Sequence, residues 1–253
     1  MSRRRSSRRD RFTAFSGSVA FDVTPYYAAG IKLDLDAATA NITQDGSNRV
    51  SQWSDKSGNA YHAVQATGAN QPLWLATATP KGLPAVHLDS TARFLAKSAG
   101  YLACSATGYT WIGVVQALNS GTAVSGFLHS SGSTGLRPCS RQNSAQTTWG
   151  VEFDGSTRTI ASANDENFHV VAWRIAASGG SGTPVTTAEC YVDGTLVSVT
   201  GTPNFTTGPA LYQVGANGSS RNMKLARVLE APATLLSAQD VIDISNGLRG
   251  MYI

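Results

Sequence analysis

The amino-acid sequence predicts an all-β fold: a two-sheet antiparallel sandwich, closed by one C-terminal helix and preceded by an extended basic N-terminal arm. Three observations carry that expectation. Charged residues make up only 14% of the 253 positions while Gly, Ser, Thr and Ala are abundant, the profile of short strands joined by many tight turns. Runs of β-branched and aromatic residues recur between Gly, Asn and Asp turn signals along the body of the chain. One stretch near the C-terminus changes to helical spacing behind an N-cap signal. A chain of this length can bury one large core, and no apolar run approaches the roughly 20 residues of a membrane helix, so one soluble domain is expected.

Residues 1–12, MSRRRSSRRDRF, read as an arm and 13–30, TAFSGSVAFDVTPYYAAG, as an aromatic-bearing connector, which leaves 31–253 for the folded domain. The first strand is IKLDL (31–35), where Leu33 and Leu35 face the core and Asp34, with Asp36 beyond it, faces solvent by period-two alternation. RVSQW (49–53), PAVHL (84–88) and RFLA (93–96) come next, each bounded by turn residues. YTWIGVVQAL (109–118), VSGFLHS (124–130), TTWGVEFD (147–154) and TRTIAS (157–162) continue the series. In FHVVAWRIAA (168–177), Phe168, Val170, Ala172 and Arg174 share one face and His169, Val171, Trp173 and Ile175 the other. The second face is the more apolar and is expected to look into the core. TAECYVDG (187–194) turns back into TLVSVT (195–200) at Asp193-Gly194, a hairpin signal, before LYQVGA (211–216) and KLARVLEA (224–231). Strands at this spacing call for a sandwich. Ser237-Ala238-Gln239-Asp240 is a capping-box variant, and Val241, Ile244 and Leu248 then share a face, which predicts a helix over 237–249.

The net charge of +4 sits at one end. Arg3, Arg4, Arg5, Arg8, Arg9 and Arg11 stand against Asp10 alone in residues 1–12, so the rest of the chain is near neutral. A block of this kind reads as an interaction tail, and the neutral body offers no basic surface for nucleic acid. Its guanidinium groups repel one another, and Phe12 is its one apolar side chain beyond Met1. It cannot order itself by burial and needs acceptors from a partner, either the carboxylates or carbonyls of a protein or nucleic acid phosphates, of which the protein is the preferred reading. Phe12 and Phe15, with Phe21, Tyr26 and Tyr27 of the connector, are expected to add apolar anchoring on that partner. Arg8-Arg9 faintly matches a twin-arginine export signal, but the apolar segment after it is short, carries Asp22 and lacks a small-residue cleavage site. Cys104, Cys139 and Cys190 are far apart, show no zinc-ligand spacing and read as buried free thiols.

The most specific stretch is VSQWSDKSGNAYHAVQATGANQP (50–72), with a Trp, an Asp, a Lys and a His around a Ser-Gly-Asn turn. Trp53 ends an alternating strand and suits a core position. Asp55 and Asn59 can bond backbone groups of their own turn, and Gly58 can take a positive φ. Turn chemistry accounts for every residue, so the cluster is expected to build the sheet and not to react. Together with Asp36-Ala37, Gly46, Ala63, Gln65, Pro72, Gly82-Leu83-Pro84-Ala85-Val86, Asp89, Tyr191-Val192-Asp193-Gly194 and the closing helix to Gly250-Met251-Tyr252, this stretch resembles the laminin-G-like branch of the concanavalin A-like lectin/glucanase jelly rolls, of the type found in phage structural proteins. The resemblance covers about 31–253. One departure is Leu88-Asp89-Ser90-Thr91-Ala92, where the family has F-D-G-x-D, so a glycine and a second acid that could supply metal oxygens are missing.

The resemblance implies a jelly roll and, for its calcium-binding members, a rim site built from Asp side chains and carbonyls, for which Asp154, Asp165 and Asp193 are the candidates. Each of the three also fits a plain turn, the preferred reading, and no cofactor is expected. Glucanases of the superfamily carry acids at i, i+2 and i+4 on one strand. The four Glu residues, Glu152, Glu166, Glu189 and Glu230, belong to no such string, and the scattered His62, His87, His129 and His169 accompany no nucleophile motif. No phosphate-binding glycine motif occurs. The expectation is a non-enzymatic virion accessory protein of a bacteriophage, such as a capsid decoration, collar or fibre component. It would assemble in the host cytoplasm, oligomerise, and be anchored to other virion proteins by its arm, with a host-surface glycan as a further partner. The alternative is a carbohydrate-binding adhesin.

Overall fold

The computed structural model describes residues 20–89, 93–97, 108–118, 128–129, 137–139, 148–153, 156–163, 165–177, 185–197, 212–215 and 222–253. In these residues the strands are β1 (Leu33–Asp36), β2 (Ile42–Gln44), β3 (Val50–Trp53), β4 (Ala63–Val64), β5 (Leu73–Leu75), β6 (Ala85–Leu88), β7 (Leu95–Lys97) and β8 (Tyr109–Ala117). They continue as β9 (Leu128–His129), β10 (Arg137–Cys139), β11 (Thr148–Phe153), β12 (Ser156–Ala163), β13 (Phe168–Ala177), β14 (Val185–Val192), β15 (Thr195–Val197), β16 (Tyr212–Val214) and β17 (Met223–Ala231), and the chain closes with α1 (Ala238–Tyr252).

One sheet runs β15-β14-β13-β8-β17-β6-β5, with β1 also paired to β17, for eight strands. A second runs β2-β3-β4-β7-β16-β9, and β10-β11-β12 form a small third sheet. All described pairings are antiparallel. The fold is therefore the expected two-sheet jelly-roll sandwich with a C-terminal helix.

Two apolar layers hold it together. Between the sheets lie Leu33, Leu35, Trp53, Trp111, Val171, Trp173, Ile175, Cys190 and Val228, all fully buried. Between the eight-stranded sheet and α1 lie Val23, Ile112, Val114, Phe168, Val170, Ala172, Leu229, Val241, Ile244 and Leu248. Alternation along β13 thus divides the residues as predicted, yet both faces are covered. Arg174, on the helix side, is satisfied because its Nε donates to Leu236 O at 2.7 Å and its guanidinium pairs with Glu189.

The capping signal forms as read: Ser237 Oγ accepts Asp240 N at 3.0 Å and donates to Asp240 Oδ2 at 2.7 Å. The helix continues past the predicted end at 249 to Tyr252, whose burial rewards the extra turn. The described part of the connector is not a free spacer. Val23 is buried under α1, and Phe21 lies so close over Gly247 that a Cβ there would come within 2.2 Å of its ring. Phe21, Tyr26 and Tyr27, expected to grip a partner, pack within the chain instead.

Candidate functional site

The Asp-bearing first strand and the Trp-Ser-Asp turn converge on one polar network. β1 is the outermost partner of β17 there, and its other edge is met by the turn, with Asp55 bridged to Leu35 and Lys56 N donating to Asp34 O at 2.8 Å. Asp55 is buried and saturated. Its Oδ1 accepts Asp34 N and Ser57 N, both at 2.9 Å, and its Oδ2 accepts Ser57 Oγ at 2.8 Å and Tyr61 N at 3.0 Å. Its own N–H donates to His62 Nδ1 at 3.0 Å. Asn59 Nδ2 donates to Lys32 O at 3.0 Å, and Gly58 takes φ +86°, which the turn requires. Trp53 is fully buried between the sheets. Closing an edge strand in this way removes a template for unwanted strand pairing.

Asp34 and Asp36 correct the expectation of solvated acids: they are 0% and 6% exposed. Leu33 and Leu35 do face the core, but the opposite face is roofed by the connector and the end of α1. Arg227 holds Asp34 in a two-pronged bond, Nε to Oδ1 at 2.9 Å and Nη2 to Oδ2 at 2.7 Å. Tyr27 Oη donates to Asp34 Oδ2 at 2.6 Å. Asp36 accepts Lys56 Nζ at 3.0 Å and Tyr252 Oη at 3.2 Å. Burial alone would raise the Asp36 carboxyl, but Arg227 and Lys56 outweigh it and hold it below the usual range. Burial, reinforced by the neighbouring carboxylates, raises both Tyr27 and Tyr252 well above the ordinary phenol value, so neither is a ready nucleophile.

At the other end of β13, Asp165 and Asp193 come together, but around His169. Its Nδ1 lies 2.8 Å from Asp193 Oδ2 and its Nε2 2.8 Å from Asp165 Oδ1. Ionised carboxylates only accept, so the arrangement favours the ring with a proton on both nitrogens, and His169 is accordingly raised above its ordinary value. A cation between the two acids opposes a second cation, and among the described residues no group of three or more His, Cys, Asp or Glu could hold a metal ion. Both acids also serve local turns: Asp193 Oδ1 accepts Val170 N at 2.9 Å and Asp193-Gly194 form the β14–β15 turn, both at positive φ, while Asp165 Oδ1 accepts Asn167 N at 2.9 Å. Asp154 lies outside the described residues, as do Arg3, Arg4, Arg5, Arg8, Arg9, Arg11, Phe12 and Phe15.

The hydrogen bond to Asp193 raises His169 above its ordinary value, against burial, while His169 lowers Asp165 and, with the Val170 amide, outweighs burial to lower Asp193. A raised histidine contributes stability in full below its unfolded value of about 6.5 and loses it as pH rises through the folded value. Lowered carboxylates contribute above about 3.9 and lose it as pH falls. His169→Gln is therefore expected to cost about 1 kcal/mol near pH 5–6, with the difference from the unaltered protein shrinking on the alkaline side. Thermal unfolding across pH 4–9 checks this, and a difference that grows with pH would contradict it.

Sequence reasoning missed a third feature, Glu230. It is 2% exposed and lies on the inner face of β17, in register with Leu33 on one side and Trp111 on the other. Burial raises its carboxyl well above the ordinary value. The available signal was one acid inside the apolar run Val228-Leu229-Glu230-Ala231.

No family model and no curated protein sequence matches the chain. Solved structures do. Trypanosoma rangeli sialidase in complex with sialic acid superposes with a TM-score of 0.55 at 12% identity, over 87% of this chain and 33% of that one. The likeness is one of fold. The ligand-binding domain of botulinum neurotoxin serotype D, in complex with N-acetylneuraminic acid, gives 0.53 at 12% identity, over 87% of this chain and 52% of that one. Botulinum neurotoxin type C, whose cell entry depends on interaction with two ganglioside molecules, gives 0.51 at 10% identity, again over 87% and 52%. The chain thus spans a third of the sialidase and about half of the neurotoxin chains. A similar fold thus occurs in a sialidase and in a ligand-binding domain.

Proposed function

We propose that this chain is a non-catalytic, glycan-binding jelly-roll module. The observation that carries the reading is the employment of its acids. Asp34, Asp36 and Asp55 are each held by two or more protein partners, and Glu230 is sealed in the core. None of these four carboxyls stands open to a bond to be cleaved, as the paired carboxylates of most glycoside hydrolases do. The fold shared with a toxin domain bound to N-acetylneuraminic acid supports a glycan as the ligand class. A glycan array probed with the full chain is expected to retain it on a defined subset of structures; failure to bind any glycan would overturn the reading.

The Arg-rich block supports a second element: display within a larger assembly, with the basic segment gripping acidic or carbonyl-rich surfaces of neighbouring proteins. A phage virion, as capsid decoration, collar or fibre, is the assembly that the sequence resemblance suggests, with copies of the chain side by side and a host-surface glycan as target. Because residues from Phe21 on are part of the folded body, the truncation that tests this removes 1–19 only. The truncated protein should unfold within about 0.5 kcal/mol of the intact one, since no described contact is lost, yet fail to join its assembly. Incorporation at normal levels would show that the segment is not the anchor.

A further inference from the structure

Across the inner face of the eight-stranded sheet, backbone register places Leu33, Glu230, Trp111, Trp173 and Cys190 in one row. Every side chain in the row is buried, and the row faces the second sheet across the core. Two of its polar atoms, Glu230 Oε2 and Trp173 Nε1, have no hydrogen-bond partner among the described residues. They sit on strands that flank β8, so their backbones are about 9–10 Å apart. Trp111 stands between them in the row but leans out of it. Its ring lies over Gly113, where a Cβ would come within 2.4 Å of Cη2, which explains why that position is a glycine. The indole of Trp111 therefore does not fill the line from Glu230 to Trp173.

An orphaned buried acid or indole N–H costs free energy, and protein interiors relieve that cost with internal water held by two to four polar atoms. We propose that Glu230 and Trp173 are the protein ligands of an ordered water molecule held between the two sheets, the water accepting from Trp173 Nε1 and donating to Glu230 Oε2. Two such bonds span about 5–6 Å, a gap that two long side chains rooted on the strands either side of β8 can close from backbones about 9–10 Å apart. The ligand is uncharged, in keeping with the surroundings: Glu230 makes no ion pair among the described residues, and burial raises its carboxyl well above the ordinary value. The water site is independent of what the outer surface binds.

Water-selected NMR on the full chain tests it, with the Trp173 indole resonance assigned through Trp173→Phe. The expected result is a cross-peak from Trp173 Hε1 to a long-lived water. It should be lost in Glu230→Leu, which removes the buried acid and should fold with undiminished stability, and retained in Glu230→Gln, which keeps an acceptor. No cross-peak in the unaltered protein, or one that persists unchanged in Glu230→Leu, overturns the proposal. If Glu230→Leu does not fold, the carbonyl stretch of the protonated Glu230 decides: a band at the position of a hydrogen-bonded acid supports the water, and a band at that of a free acid overturns it.

Discussion

Arg227→Met should destabilise the protein by about 3–5 kcal/mol, the largest single effect expected outside the apolar core. Arg227 is 3% exposed, and its guanidinium makes both of its short bonds to Asp34, which is itself completely buried. Removing it leaves a buried carboxylate with only Tyr27 and its own backbone surroundings, and leaves Asp36 to Lys56 and Tyr252. The loss comes from stranding a charge, not from forfeiting a contact. Pairing Arg227→Met with Asp34→Leu should therefore recover a good part of the stability, because replacing both members of a buried ion pair with apolar groups is often close to neutral. Urea unfolding of the two variants provides the measurement. Equal losses in the single and double variants would contradict this account of the network.

Trp53→Ala is the second large effect, at roughly 3–5 kcal/mol. Its indole is fully buried where the second sheet meets the first, against the layer that includes Leu35, Ala37 and Val228. The residues after it form the turn that closes the edge of β1, so a cavity at Trp53 would also loosen Asp55 and its four bonds. Trp53→Phe should cost far less. It keeps most of the packed volume and removes an indole N–H that has no partner among the described residues. A Trp53→Ala variant within about 1 kcal/mol of the unaltered protein would show that the motif is not architectural.

Much of this architecture can be read in the sequence where a residue's partners are close along the chain. The Asp193-Gly194 hairpin, the Ser237 cap and the helix face of Val241, Ile244 and Leu248 all depend on contacts a few residues away. Period-two alternation also divided β1 and β13 correctly into faces. It carries no information on what lies beyond the second face, which is why Asp34 and Asp36 read as solvated. Their roof comes from residues 21–27 and 252, far away in sequence. β2, β4 and β5 are two or three residues long, too short to show a period. The His169 clamp was half visible, since Asp165 and His169 are four apart and Asp193 sits in a recognisable turn. Only the pairing of β13 with β14 brings the three together. The helix runs beyond the expected end at 249: Gly250 lies on an open face where nothing opposes continuation, and the buried Tyr252 anchors the last turn.

The central claim, a sandwich that binds glycans without cleaving them, meets its most direct test in one NMR experiment. The full chain is mixed with a panel of sialylated and neutral oligosaccharides, and saturation transfer to the sugars and the appearance of free monosaccharide are followed in the same tube. The expected result is transfer to at least one oligosaccharide and no released sugar over prolonged incubation. Release of a monosaccharide, or no transfer to any member of the panel, would contradict it.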